Sequence, residues 1–191
     1  MDGTTSDGTV SFIRMDEGTY DDYQLLNEQW KKHEGGVADE ALGLLHRLAG
    51  DPMGYRIDRF QHSLQTATRA KRDGADDELV CCALLHDIGD TLAPNNHAQL
   101  AAAILRPYIS EDNFWLVKHH GIFQGYFFWH HYGRDRNARD QYRGHPMFER
   151  TANFCEKWDQ TAFDPTYDTI PLEAFEPMVR LLFSRPRPEF A

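Results

Sequence analysis

Several histidines and aspartates of this chain fall where helices would face a core. The stretch CCALLHDIGD places His86 and Asp87 directly after an apolar run, and a buried core does not accept an unpaired charge. Ten histidines among 191 residues are also well above ordinary usage. The other inward-facing candidates are His62, His97, His120 and Asp159. Each alone could be a satisfied core residue, but together, on separate helices, they predict a metal site inside a helical bundle.

One position in this set has an alternative, because His119 stands beside His120. Neighbouring residues on an α-helix point about 100° apart, so only one of the two can face inward. Helix geometry alone leaves open which of the two is the ligand. Imidazole and carboxylate groups without a thiolate suit iron or manganese.

Composition narrows the class of protein. A length of 191 residues with 41% hydrophobic residues fits one globular domain. The net charge of -10 argues against a nucleic-acid partner. Three cysteines without a pairing framework indicate reduced thiols. Neither a signal peptide nor a membrane-spanning run is recognisable, so we expect a cytoplasmic protein without a membrane partner.

The elements that must position these residues are helical throughout. Residues 1–19 are rich in Gly, Thr, Ser and Asp and predict a flexible lead-in, followed by a single domain over 20–191. No alternating strand pattern is found, so the fold class is all-α. Helical patterns begin at Tyr20, and at Asn95 or Asn96 as an N-cap. The remaining helical patterns cover 38–50, 58–74, 76–90, 111–121, 147–160 and 172–183. In the last of these, Pro177 is expected to break or kink the helix.

The order H…HD…H…H…D resembles the HD-domain superfamily, in which the fold is an HD-domain helical bundle. His62, His86-Asp87 and Asp159 match the minimal pattern, and His97 and His120, the latter before Gly121, match the two extra histidines of the dinuclear branch. Within that branch, QHSLQTA around His62 is similar to the small mixed-valent di-iron oxygenases. That group includes enzymes acting on myo-inositol and on 2-amino-1-hydroxyethylphosphonate.

The resemblance implies a ligand set and a cofactor. One metal would take His62, His86, Asp87 and Asp159, and the second would take His97, His120 and the other oxygen of Asp87. His86 and Asp87 would thereby be catalytic. The implied cofactor is a pair of iron ions, Fe(II)/Fe(III), with O2 as co-substrate. In the resembling enzymes the substrate binds Fe(III) and O2 binds Fe(II).

Other classes of function share these ligands. An HD-type phosphohydrolase would use the same metals to activate water and clamp a phosphate ester or nucleotide. A non-enzymatic helical binding module with a vestigial site is a third hypothesis. The similarity around His62 favours the oxygenase, an oxidoreductase of organophosphonate catabolism that cleaves a C–P bond.

Three departures from the aminoethylphosphonate enzyme bear on the substrate. Tyr55 stands where that enzyme has a glutamate for the substrate ammonium, and Asp90 and Gln124 replace its phosphonate-binding histidine and lysine. A quaternary ammonium prefers aromatic faces to a carboxylate hydrogen-bond acceptor. The expected substrate is therefore (R)-1-hydroxy-2-(trimethylammonio)ethylphosphonate, cleaved to glycine betaine and phosphate. Aromatic residues expected to join Tyr55 are Tyr126, Phe128 and Trp129.

A phosphonate also needs hydrogen-bond donors. Arg143 and His145, in the stretch YRGHP, are the expected anchors, because arginine matches phosphonate oxygens bidentately. The competing interpretation is a solvated loop in which arginines pair with Asp135 and Asp140. Gln61, beside His62, is a further substrate-binding candidate. Arg56 and Arg59, beside the first ligand helix, are additional candidate cations.

Overall fold

The structure, a computed structural model, describes residues 8–190 and is all-α, as the sequence predicted. Eight α-helices form its regular framework, and short 3₁₀ turns connect them. Their bounds are α1 Tyr20–Glu34, α2 Val37–His46, α3 Arg59–Arg72, α4 Asp77–Leu85, α5 His97–Leu105, α6 Glu111–Phe128, α7 Phe148–Phe154 and α8 Glu176–Phe183. None of these helices combines the length and the apolar character that a bilayer crossing demands.

The described chain forms two compact units, of which the first ends at Asp39 and the second begins at Glu40. In the first unit, α1 starts with a capping box in which Thr19 and Asp22 each accept a hydrogen bond from the other's backbone N–H. Asp22 also accepts from the backbone and hydroxyl of Ser11. The predicted domain boundary at residue 20 stays a prediction, as does the flexible lead-in over 1–19, of which residues 1–7 lie outside the described residues.

The core of the second unit is built from two packed helix pairs, α3 on α4 and α5 on α6. Helix α4 is apolar all round, and Leu79 to Leu85 are buried without exception, which is expected of a central helix. Ala98, Ala101 and Ala102 are the buried residues of α5 that, being small, let it lie close to α6.

Several local predictions differ from the structure. The helices predicted over 38–50 and 76–90 end earlier, at His46 and Leu85, so His86 and Asp87 lie beyond α4 and not within it. Helix α6 continues seven residues beyond the predicted end, to Phe128.

The helix predicted over 172–183 is broken, since the 3₁₀ turn Leu172–Ala174 is followed by a new helix, α8. Pro177 does not kink α8, because it lies in its first turn, where its missing N–H has no helical partner to lose. The predicted helix over 147–160 changes after α7 into a π-helical turn, Cys155–Asp159.

Candidate metal centre

The HD pair lies just beyond the end of α4. His86 is the C-cap residue of that helix, and Asp87 follows in a turn. A carboxylate near a helix C-terminus meets the negative end of the helix dipole. Asp87 is nevertheless 1% exposed, so cationic groups must compensate it from elsewhere.

The remaining candidate ligands come from different elements. His62 lies in the first turns of α3, which Asp58 caps, and His97 is the first residue of α5. His120 lies in the middle of α6. Asp159 ends the π turn, in which Gln160 N–H donates to the carbonyl of Cys155 over five residues. Such π turns frequently occur at functional sites.

The two oxygens of Asp87 face two different pairs of histidines. Oδ2 lies 3.4 Å from Nε2 of His62 and 3.2 Å from Nε2 of His86. Oδ1 lies 3.3 Å from Nε2 of His97 and 3.3 Å from Nε2 of His120. Asp159 joins the first pair, with Oδ1 3.3 Å from Nε2 of His62. The structure thus brings all six predicted ligands together around one carboxylate.

Hydrogen bonds of the imidazole rings test whether this cluster suits a metal. Each Nδ1 faces a backbone carbonyl, which can only accept, so each Nδ1 carries the proton. The Nε2 atoms of neutral rings then point lone pairs at carboxylate oxygens, and Nε2 of His62 lies 3.3 Å from Nε2 of His86. The carbonyls belong to Ala162 for His62, Ala83 for His86, Pro94 for His97 and Val117 for His120.

Acceptors facing acceptors in a buried site require protons or metal ions between them. Asp159 Oδ2 is buried and makes no hydrogen bond within residues 8–190, so a further acceptor lacks a donor. Two ligand atoms that bind one ion at right angles, each about 2.1 Å from it, lie about 3 Å apart. The distances from the histidine Nε2 atoms to the Asp87 oxygens, 3.2 to 3.4 Å, are close to that value. The groups His62–His86–Asp159 and His86–Asp87–His120 can each hold a metal ion.

Charges in the cluster are strongly coupled. Burial opposes ionisation of Asp87, but Arg59 and His86 outweigh it and hold the pKa of Asp87 well below its ordinary value. Burial likewise opposes the charge of Arg59, yet Asp87 and Asp90 raise the pKa of its guanidinium. Burial lowers the pKa of His120, which keeps that ring neutral and available as a ligand.

A cavity of about 480 Å³ opens onto the cluster. Three carboxylates and one guanidinium line it: Asp87, Asp90, Asp159 and Arg59. Aromatic residues form much of the remaining wall: Tyr55, Phe127, Phe128, Tyr132 and Phe163. The cavity therefore combines a polar floor with an aromatic wall.

The substrate-binding predictions divide into two groups. Tyr55, Asp90 and Gln124 line the cavity, and Gln124 donates through Nε2 to Asp159 Oδ1 at 3.0 Å. Gln61 does not line it, because its side chain is exposed on another face of α3 and lines a separate groove.

The predicted phosphonate anchors also lie outside the cavity lining. Arg143 is 63% exposed and pairs with Asp140 at 3.1 Å, which is the solvated-loop interpretation of this stretch. His145 stacks on Trp115 with ring centroids 4.2 Å apart. The local sequence is rich in arginine, but the chain turns these residues away from the metal ligands.

Two of the predicted cage aromatics have other contacts. Tyr126 lies against the guanidinium of Arg139, 3.7 Å from the ring centroid, and Trp129 lies against Arg134 at 3.8 Å. Phe128 lines the cavity as expected. Phe163, which the sequence did not indicate, stacks between His62 at 4.4 Å and Tyr55 at 4.9 Å.

Comparison with protein families places this site in context. This helical bundle gathers histidines and aspartates around one buried carboxylate in an arrangement that could hold metal ions. The HD domain family model matches residues 59–147, which include five of the six candidate ligands, Asp159 being the exception. The match shows similarity to the HD-domain superfamily over these residues and suggests a metal-dependent enzyme. No curated protein matched the chain.

The close approach of Gly89 to His97 leads to one prediction. A Cβ atom at position 89 would lie 2.5 Å from the carbonyl oxygen of His97 and 3.0 Å from its Cα. Gly89→Ala should therefore displace the start of α5 and lower the metal content by about one ion per chain, as measured by elemental analysis. Gly43→Ala is the matched control, since no atom lies within 4 Å of its Cβ position. An unchanged metal content in Gly89→Ala would contradict the prediction.

His86 leads to a prediction of pH dependence in metal-depleted protein. Burial disfavours its protonation, but Asp87 and Asp159 outweigh burial and raise the pKa of His86 to about 9. Protonated His86 therefore stabilises the fold fully below the unfolded pKa of about 6.5, and this contribution is lost as the pH rises through about 9. Because a metal ion replaces that proton, the increase in melting temperature on metal loading should be larger at pH 9 than at pH 6.5. Equal increases at both pH values would refute this.

Proposed function

We propose that this protein is a di-iron, O2-dependent oxygenase that cleaves the C–P bond of a 1-hydroxyalkylphosphonate. The observation that carries the proposal is the division of the Asp87 oxygens between two pairs of histidines, at the floor of one cavity. The first metal would take His62, His86, Asp87 and Asp159, and the second would take His97, His120 and Asp87. The three protein ligands of the second metal would leave coordination positions for a chelating substrate. A pair of iron ions would supply redox chemistry with O2.

The charge of this site suits an anionic substrate. Two iron ions bring more positive charge than the three lining carboxylates neutralise, and Arg59 adds another cation at the cavity wall. A guanidinium has five N–H donors, so its contacts with Asp87 and Asp90 leave donors for a phosphonate. We assign Arg59, rather than Arg143 or His145, as the candidate phosphonate contact.

The wall of the cavity supports a quaternary ammonium at the other end of the substrate. Tyr55 and Phe128 are half-exposed at the rim and Tyr132 is more exposed, so their faces are accessible to a ligand. Aromatic faces attract a cation that has no N–H to donate. The proposed substrate is therefore (R)-1-hydroxy-2-(trimethylammonio)ethylphosphonate, and the products are glycine betaine and phosphate.

Protein groups would position the substrate for this reaction. Gln124 Oε1 is buried and makes no hydrogen bond within the described chain, so it can accept a hydrogen bond from the substrate hydroxyl. The carbon that loses phosphorus keeps its hydroxyl oxygen, gains one oxygen from O2 and becomes a carboxylate, and the other oxygen of O2 completes the phosphate. One O2 is consumed for each glycine betaine and phosphate formed, and the atoms balance without an external reductant.

The test is an oxygen-electrode assay of anaerobically iron-loaded protein, with phosphate release measured in parallel. The proposal expects O2 consumption and phosphate release in a 1:1 ratio, and no phosphate when O2 is absent. Phosphate release from nucleotides or phosphate esters without O2 would instead support the phosphohydrolase, which shares these ligands. Purified protein that binds no metal and turns over neither substrate class would support a binding module.

A further inference from the structure

Asp90 contacts both a metal-ligand candidate and the cavity arginine. Its Oδ1 lies 3.3 Å from Nδ1 of His97, and its Oδ2 accepts from Nε of Arg59 at 3.0 Å. The carboxylate is 17% exposed and lies three residues after Asp87 in the turn that follows α4. One side chain therefore connects the wall of the cavity to the second group of histidines.

His97 is held differently from the other three histidines. His62, His86 and His120 donate from Nδ1 to backbone carbonyls at 3.1, 2.8 and 2.7 Å. The Nδ1 of His97 instead lies 3.3 Å from both the Pro94 carbonyl and Asp90 Oδ1. A carboxylate acceptor orients an imidazole and makes its other nitrogen a stronger ligand.

Packing restrains His97 less than its partners. Its side chain is 23% exposed, whereas His62 and His120 are 1% and 2% exposed. The His97 ring makes one weak contact with the backbone, at the Pro94 carbonyl, so its orientation depends on its second contact. Asp90 supplies that contact.

Arg59 fixes Asp90 in turn. Its Nε bonds Asp90, and its Nη2 contacts Asp87 Oδ2, the oxygen that faces His62 and His86. The rigid guanidinium plane thus sets the relative position of Asp90 and Asp87. The same arginine is the candidate phosphonate contact, so a ligand that moves Arg59 also acts on Asp90.

We propose that Asp90 is a positioning residue for the metal position formed by His97, His120 and Asp87, and that it couples this position to Arg59. The inference rests on the proposed function only in requiring two metal positions. It gives His97 a carboxylate support that His62, His86 and His120, whose Nδ1 atoms face backbone carbonyls alone, do not have.

The test is Mn(II) binding to the metal-depleted full chain, with the free ion measured by EPR. Wild type should bind two ions. In Asp90→Asn, we expect the second ion to bind about 10 to 100-fold more weakly, and the first to stay within roughly threefold of wild type. Asp168→Asn is the matched control, because Asp168 pairs with Arg72 of the same helix α3 and is 92% exposed. Asp90→Ser takes the place of Asp90→Asn if circular dichroism shows that the asparagine variant is unfolded.

A double-mutant cycle tests the coupling to Arg59. If Arg59 holds Asp90 in place, the effect of Asp90→Asn on the second ion should be at least about threefold smaller in an Arg59→Met background. Equal effects in both backgrounds would remove the coupling from the proposal.

Two results separate this inference from the proposed function. Wild type that binds two ions and consumes O2, with second-ion affinity unchanged in Asp90→Asn, would overturn the inference alone. Wild type that binds fewer than two ions would overturn both. An equal loss of affinity for both ions in Asp90→Asn would also overturn the inference, because it would indicate a general disturbance of the cluster.

Discussion

Asp87→Asn is expected to lose both metal ions and to leave less than about one hundredth of the wild-type turnover. Losing a group that only supports a ligand costs about 10 to 100-fold in metal affinity or activity, and a shared ligand should cost at least as much. Asparagine keeps the shape of the side chain and one acceptor oxygen but removes the negative charge. Both oxygens of Asp87 face histidine pairs, so one substitution affects both positions.

The measurement is metal content by elemental analysis, combined with oxygen consumption. Far-UV circular dichroism must show a retained helical fold, because Asp87 also contacts Arg59 and balances buried charge. Asp168→Asn serves as the control for the same chemical change at the surface. Asp87→Asn that retains two metal ions and full turnover would exclude Asp87 as the shared ligand.

The helical fold and the inward position of His62 and His120 follow from patterns in the sequence. Apolar residues at helical spacing fix which face of each helix is buried, and the spacing in α3 and α6 turns His62 and His120 inward. Helix geometry requires only that one of His119 and His120 face inward, and the choice of His120 rests on the resemblance, in which the ligand histidine precedes a glycine, here Gly121. His119 instead donates from Nδ1 to the Trp115 carbonyl and stacks on the Trp115 ring.

The cavity wall depends on contacts that local patterns do not contain. Phe163 reaches His62 across about a hundred residues of sequence, and only the folded chain shows that approach. Arg143 and His145 were expected at the site because their residue types suit a phosphonate. Residue type does not show where a side chain lies in the folded chain. After the 3₁₀ segment Ala138–Tyr142, Arg143 lies in solvent and His145 lies against Trp115.

The π turn illustrates a further limit of periodicity. A continuous helix over 147–160 would rotate Asp159 by 100° per residue from its neighbours. The wider turn of Cys155–Asp159 changes that rotation and directs the carboxylate at His62. Sequence spacing alone does not distinguish an α turn from a π turn, so this placement needed the structure.

Tyr55→Glu is expected to reverse the preference of the enzyme between trimethylated and primary-amine substrates. Tyr55 is 50% exposed at the cavity rim and is supported from behind by Phe163. Loss of its ring should lower kcat/KM for the trimethylated phosphonate by about tenfold, since a cation–π contact contributes up to about 2 kcal/mol when desolvated. The new carboxylate should raise kcat/KM for 2-amino-1-hydroxyethylphosphonate, because a primary ammonium donates charge-assisted hydrogen bonds.

Two further variants at the same position separate the ring from the charge. Tyr55→Phe keeps the aromatic face and should stay within about twofold of wild type on the trimethylated substrate. Tyr55→Gln removes the face without adding charge, so it should weaken the trimethylated substrate without improving the primary amine. If all three variants retain the wild-type ratio of kcat/KM values, Tyr55 does not contact the ammonium group. Recognition would then have to come from Phe128 and Tyr132, which line the same cavity.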